Sequence, residues 1–314
     1  MSLVINHNLM AMNAARNLTQ SYGALSTSTR RLSSGLRVGT AADDAAGLAI
    51  RELMRADIAS LKQGIRNAND AISLIQTADG ALQVIDEKLI RMKELAEQAA
   101  TGTYTSDQRL IIDSEYQAMA SEITRIANAT NFNGIYLLNG NLSASTPHVA
   151  SWASSHNGSG LASTGPLKVH FGTGNSSAED YYYIAIQTAT ASALGVGNQA
   201  DVNRDNGSGV AGAGFSISTQ QAAQQALEAL NAAIVSKDNI RANLGALQNR
   251  LQNTITNLQI QAENLQAAES RISDADVAQE MTQFVRNQIL TQSAVAMLSQ
   301  ANQLPQMAMQ LIQG

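Results

Sequence analysis

No cysteine occurs among the 314 residues, so neither a disulfide nor a thiolate-bound metal can hold this chain together. Proline occurs three times and aromatic residues make up 4%. So few rings leave few bulky centres for a globular core, and so few prolines let helices run long. No apolar run of about 18 residues is present, so no segment spans a bilayer as a helix. The N-terminal MSLVINHNLMAMNAARNL lacks a basic region and a long apolar core, and is not expected to be a Sec-type signal peptide. A net charge of −5 offers no footprint for nucleic acid or for an anionic membrane surface. The last absence is local: from Asn287 to Gly314 there is no charged residue.

What is present falls into three parts. Residues 1–140 contain no proline and read as helix. Residues 141–215 change character, with Gly, Ser, Thr and Asn supplying 33 of 75 positions, too polar and too small to bury a sizeable core. Residues 216–314 return to helix, interrupted only by Pro305. Within the middle part, LKVHFG (Leu167–Gly172) and DYYYIAIQTA (Asp180–Ala189) flank a turn-rich stretch and predict a β-hairpin.

Heptad seams organise the helical parts. Leu18, Tyr22, Leu25, Thr29, Leu32 and Leu36 step by four and three, and the phase runs back through Ala15 and Ala11. It stops near Gly35 and Gly39, after which Thr40 or Asp43 is expected to cap a helix over about 44–99, on the order of 80 Å long. That helix carries one seam through Ile58, Leu61, Ile65, Ala68, Ile72 and Ile75. A second, offset seam passes through Ala78, Leu82, Ile85, Leu89, Met92 and Ala96. A further helix covers about 107–129, and NFNGIYLLNG reads as turn and strand. From Ser218, Leu230, Ala233, Ile240, Leu244, Leu247, Leu251, Leu258, Leu265, Ala268 and Ile272 hold one phase, interrupted by the polar Thr254 and Gln261. Ser273, with Asp276 three residues on, is expected to cap the last helix.

The uncharged end has a seam of its own: Leu290, Ala294, Met297, Ala301, Leu304, Ala308 and Leu311, flanked by Ile289, Leu298 and Ile312. The N-terminal seam is its natural partner. Burying each large side chain recovers roughly 1.5–3 kcal/mol, while ordering the backbone costs about 1–2 kcal/mol per residue. A two-helix pair in water does not clear that cost. The termini are therefore expected to be disordered in the monomer and to fold when further copies surround them.

The sequence strongly resembles bacterial flagellin. The resemblance rests on LSSGLRVGTAADDAAGLAI (Leu32–Ile50), ANDAISLIQTADGAL (Ala68–Leu82), TNFNGIYLLNG (Thr130–Gly140), ESRISDADVAQEM (Glu269–Met281) and LSQANQLPQMAMQLI (Leu298–Ile312). It implies a mainly α fold: a long antiparallel coiled coil and helical bundle with a small β-hairpin region, built from both chain ends. Residues 1–42 and 273–314 resemble the inner terminal coiled-coil domain. Residues 43–140 and 166–272 resemble the bundle with its hairpin, and 141–165 is left as a surface loop, with the family's outer domain minimal or absent.

Resemblance also implies a filament outside the cell, reached through the flagellar type III apparatus without a cleaved Sec signal. The implied partners are other copies, an export chaperone, a filament cap and hook–filament junction proteins. It further implies an animal receptor, Toll-like receptor 5, with Arg91, Leu95 and Glu115 as the matching contacts. The last residues, Met309, Leu311 and Ile312, depart from the leucine-rich end that cytosolic sensors read in some members.

Each of these has a plainer reading. Arg91 and Glu115 serve equally well as solvated helix charges or subunit contacts, and the 216–272 heptads as an intramolecular core. His7 stands apart from the other histidines, GVAGAG (Gly209–Gly214) lacks the spacing of a dinucleotide loop, and no H-E-x-x-H occurs. An enzyme, a metal site and a cofactor are thus not expected. A hook-associated junction protein would share the terminal seams but carry a larger middle.

Overall fold

A computed structural model describes residues 8–143, 166–176, 179–196 and 216–313; beyond Gln303, side chains are described only for Gln306 and Met307. Among the described residues are α1 (Leu9–Ser34), α2 (Ala45–Ala100), α3 (Ser106–Ala129), β1 (Asn131–Phe132), β2 (Ile135–Tyr136), β3 (Leu167–His170), β4 (Tyr181–Ile184), α4 (Gln220–Ser273) and α5 (Val277–Gln313). The fold is mainly α with two small antiparallel hairpins. Most of the expected surface loop, and the GVAGAG run, lie outside the described residues.

Helix ends follow local chemistry. Asn8 caps α1 through its side-chain oxygen, which accepts the Ala11 amide at 3.0 Å. Gly35 closes α1 with φ 71°, a left-handed turn that glycine adopts without strain. The cap of α2 is neither Thr40 nor Asp43 but Asp44, whose carboxylate accepts Gly47 N–H at 2.9 Å. Asp43 instead takes Thr40 and Arg30. Thr105 and Gln108 form a reciprocal capping box on α3. Ser273 does not cap the final helix; it is the last residue of α4, and Asp276 accepts the Ala278 and Gln279 amides instead. Pro305 does not end α5, which runs on to Gln313.

The chain divides into two compact units, residues 60–260 and residues 1–59 with 261–314. Both α2 and α4 have residues in each unit. The expected border at 42/43 lies between α1 and α2 and that at 272/273 just inside the end of α4, whereas the compact units divide within α2 and α4.

In residues 60–260, α2, α3 and α4 form a bundle. Ala78, Leu82, Ile85, Leu89, Met92 and Ala96 of α2 are fully buried, as their seam predicts. Tyr116, Ala120 and Ile123 of α3 and Leu230, Ala233, Leu244 and Leu251 of α4 belong to the same core. At the polar interruptions of α4 the neighbouring Ile255 and Ala262 are buried instead, while Thr254 is half-buried and Gln261 exposed. Lys237 of α4, by contrast, sits inside, with Asp86 at 2.6 Å and Asp238 at 2.7 Å. Arg241 pairs with Asp79 at 2.8 Å.

Strands β3 and β4 pair from Leu167↔Ile184 to His170↔Tyr181, as expected of the hairpin. Val169 and Ile184 bury against the helices, Arg250 stacks 3.7 Å over the Tyr182 ring, and Asn67 donates to the His170 carbonyl at 2.8 Å. Gly64 in mid-α2 is what lets this hairpin lie so close. A Cβ there would run into the Phe171 carbonyl.

In the other unit, α1 and α5 pack antiparallel: Asn8 meets Ala301 and Arg31 meets Glu280. The break between α1 and α2 is stapled to the break between α4 and α5. Arg37 N–H donates to Ser273 O at 2.7 Å and Ala275 N–H to Gly35 O at 2.9 Å. The buried Arg51 holds the Val38 carbonyl at 2.7 Å.

Candidate assembly surface on the terminal helix pair

Among the described side chains, only half of each terminal seam faces the other helix. On α1 the more buried row is Ala11, Ala14, Leu18, Ser21, Leu25, Ser28 and Leu32. Ala11, Leu18, Leu25 and Leu32 stand where the heptad reading puts them. The alternate positions fall one residue earlier, at Ala14, Ser21 and Ser28 instead of Ala15, Tyr22 and Thr29. Tyr22 is 58% exposed.

On α5 the inner row is Glu280, Phe284, Asn287, Thr291, Ala294, Leu298 and Ala301. Ala294 and Ala301 are as expected, but Leu290 is 45% and Met297 65% exposed, and Leu298, expected as a flank, lies inside. The physical reason is common to both helices. Spacings of three and of four both continue a heptad, and where neighbouring rows compete the smaller residue turns inward, Ser21 for Tyr22, Ser28 for Thr29 and Thr291 for Leu290, which lets the backbones approach. Leu36 lies beyond the Gly35 cap, half-buried and bridged to Asp274. The side chains of Leu304, Ala308 and Leu311 fall outside the described set.

Many large apolar side chains are left outward. Leu9, Met10, Met12 and Tyr22 on α1, and Ile289, Leu290, Val295 and Met297 on α5, are all exposed. Along one side of the pair runs a groove of about 750 Å³. Met10, Asn13, Asn17 and Gln20 form one wall, Leu290, Ser293, Met297 and Gln300 the other, and Ala14, Ala24, Ala294 and Ala301 lie between. No lining residue is charged. Such a surface has no charge to desolvate when it is covered.

Of the second expected set, Arg91 and Glu115 are brought together. Arg91 of α2 donates to Glu115 of α3 at 2.9 and 2.8 Å and to Glu94 at 2.9 Å. Those hydrogen bonds, Glu115 first and Glu94 next, hold the Arg91 guanidinium above its ordinary pKa. Leu95, expected to be free for a partner, is only 2% exposed. Its burial follows from α2 meeting two helices, which widens the buried face beyond one seam. Ala71 and Leu74 beside Ile72 and Ile75 already show that width in the sequence. The three residues therefore present an exposed ion pair above a core leucine rather than an apolar contact ringed by charge.

Among the described residues no group of three or more His, Cys, Asp or Glu is placed to hold a metal ion, and no helix is long and apolar enough to cross a membrane. Three features escaped the sequence reading: Asn8, Lys237 and the stapled helix breaks. A lysine at an apolar heptad position was a readable signal for the second.

Comparison with known proteins bears on what this pair of helices is for. Residues 5–143 match the model of the bacterial flagellin N-terminal helical region, and residues 227–312 that of the C-terminal helical region. The chain is 41% identical to flagellin of Bacillus subtilis, over 98% of this chain and 99% of that one. It belongs to the bacterial flagellin family. It is also 39% identical to a flagellar filament 33 kDa core protein of Treponema phagedenis, covering 99% of this chain and 100% of the relative. The crystal structure of Bacillus cereus flagellin aligns over 65% of this chain and 94% of its own, at 25% identity and a TM-score of 0.44. As a flagellin, the chain is a structural subunit of the extracellular flagellar filament used in swimming, not an enzyme.

Proposed function

We propose that α1 and α5 are the element through which this flagellin polymerises, and that terminal helices of neighbouring copies cover their outward rows and fill the groove between them. The observation that carries this reading is the inside-out distribution on the pair. Ser21, Ser28, Asn287 and Thr291 lie on the inner row, while Tyr22, Leu290 and Met297 point out. Leu18, Leu25, Leu32, Phe284 and Leu298 face inward but are only partly buried, so the pair alone does not offset the entropy of ordering its residues. In the isolated monomer the ends are therefore largely unfolded, and order arrives with assembly. An uncharged, unfolded end also suits delivery by an export chaperone and insertion beneath a filament cap. At the Arg91–Glu115 pair, the part of the receptor contact open to a partner is the charged rim, not Leu95.

Deleting residues 287–314 tests the main reading. The truncated chain is expected to stay soluble and largely helical by circular dichroism, yet to form no filaments by electron microscopy. Normal filaments from it would remove α5 as the polymerising element.

A further inference from the structure

Proline at 305 removes a hydrogen bond from α5. It has no N–H to give to the carbonyl four residues earlier, which is that of Ala301. Ala301 is buried against α1, where a carbonyl without a partner is costly. The structure supplies one from the other end of the chain: the Asn8 side-chain amide donates to Ala301 O at 2.8 Å. The same side chain caps α1, its oxygen accepting the Ala11 amide at 3.0 Å. Asn8 thus spends both halves of its amide, one on starting α1 and one on the gap in α5.

We propose that Asn8 is a positioning residue that sets the axial register of α1 on α5 by docking to the carbonyl that Pro305 leaves free. The rest of the pair defines register poorly. The inner row of α1 repeats itself, with Leu18, Leu25 and Leu32 alternating with Ala or Ser, so a slip by one heptad meets the same kinds of knob and hole again. Among the described residues, the other polar contact across the pair is Arg31 with Glu280 at 3.7 Å, and Arg31 Nε and Glu280 Oε1 make no hydrogen bond there. An interface that repeats with each heptad tolerates a slip of one heptad; a hydrogen bond to one particular carbonyl does not. In a regular helix every carbonyl but the last few is taken, so the free one marks a single position along α5. Pro305 is thereby an address rather than a break. This inference rests on α1 and α5 being the polymerising element, since a register error in the pair would misplace the outward rows offered to the next copy.

The test separates capping from docking. Asn8→Asp keeps an oxygen for the Ala11 amide and puts negative charge at a helix N-terminus, so as a cap alone it is as good or better. It cannot donate to Ala301. The critical concentration for assembly, measured by sedimentation, is expected to rise about three- to tenfold for Asn8→Asp, the effect of one lost directional bond, and further for Asn8→Ala, which loses the cap as well. Pro305→Ala restores the N–H inside α5. In that background Asn8→Asp is expected to change the critical concentration by less than about twofold, while Pro305→Ala alone does not raise it.

The proposal is overturned if Asn8→Asp assembles like the wild type, or if its penalty is the same with and without Pro305. Deletion of 287–314 run in the same assay keeps the two readings apart. A truncated chain that assembles removes the terminal-pair reading itself. One that does not assemble, beside a silent Asn8→Asp, removes only the docking role.

Discussion

The Lys237 ammonium meets the Asp86 carboxylate at 2.6 Å from a position of α4 that the heptad between Ala233 and Ile240 would fill with an apolar residue. A polar residue at such a position costs stability and fixes alignment. Because Asp86 retains 28% exposure, water takes over when the lysine is removed. Lys237→Met is therefore expected to change unfolding free energy by less than about 1 kcal/mol. Asp86→Ala leaves the ammonium buried beside Asp238 alone and is expected to cost about 1–3 kcal/mol. Urea unfolding of both variants decides, and an equal loss in each would contradict the assignment.

Alkaline pH should loosen the same bundle. Burial works against the charged form of Lys237, but its hydrogen bonds to Asp238 and Asp86 outweigh that and hold its pKa above the ordinary 10.5. Burial, with Asp113 nearby, pushes the Tyr116 phenol above its ordinary 10.0. Both groups keep a proton in the fold that the unfolded chain gives up sooner. Their contributions are complete below about pH 10 and are lost as pH rises through the raised values. The urea midpoint is expected to hold from about pH 7 to about pH 9 and to fall above about pH 10. Tyr116→Phe should flatten part of that fall.

Leu95 and Arg91 should separate cleanly. Leu95→Ala empties a core position and is expected to cost about 2–4 kcal/mol of stability. Arg91→Ala breaks an exposed pair and should cost no more than about 1 kcal/mol. Thermal unfolding followed at 222 nm (a far-ultraviolet helix signal) compares them. If Leu95→Ala melts like the wild type, the leucine is not a core residue, and its place as an open contact returns.

Much of this was legible beforehand, and the reasons differ by element. The α2 seam from Ala78 to Ala96 was readable because large aliphatic residues recur with one phase and nothing competes for the inside. The hairpin was readable because the β-branched and aromatic residues of LKVHFG and DYYYIAIQTA flank a turn-rich stretch. Tyr22 and Met297 were misplaced because a heptad written with both three- and four-residue steps does not say which neighbouring row turns in when the helices are rich in alanine. Leu95 was misjudged because one sequence shows how apolar a helix face is, not how many helices will cover it. Asn8 left no pattern at all. Its partner is a backbone carbonyl 293 residues away, and only the covalent chemistry of Pro305 hints that the carbonyl is free.

The outward rows carry the central claim, and replacing them in place tests it more directly than truncation does. In the double variant Leu290→Gln, Met297→Gln the length of α5, its inner row and its net charge all stay the same. Sedimentation and electron microscopy should be run on this variant beside the wild type, with circular dichroism to confirm equal helix content. The account predicts a helical monomer whose critical concentration for assembly is raised at least tenfold, the effect of losing roughly 1.5–3 kcal/mol at each buried side chain. Filaments forming at the wild-type concentration would contradict it, because the exposed Leu290 and Met297 would then meet water rather than another copy.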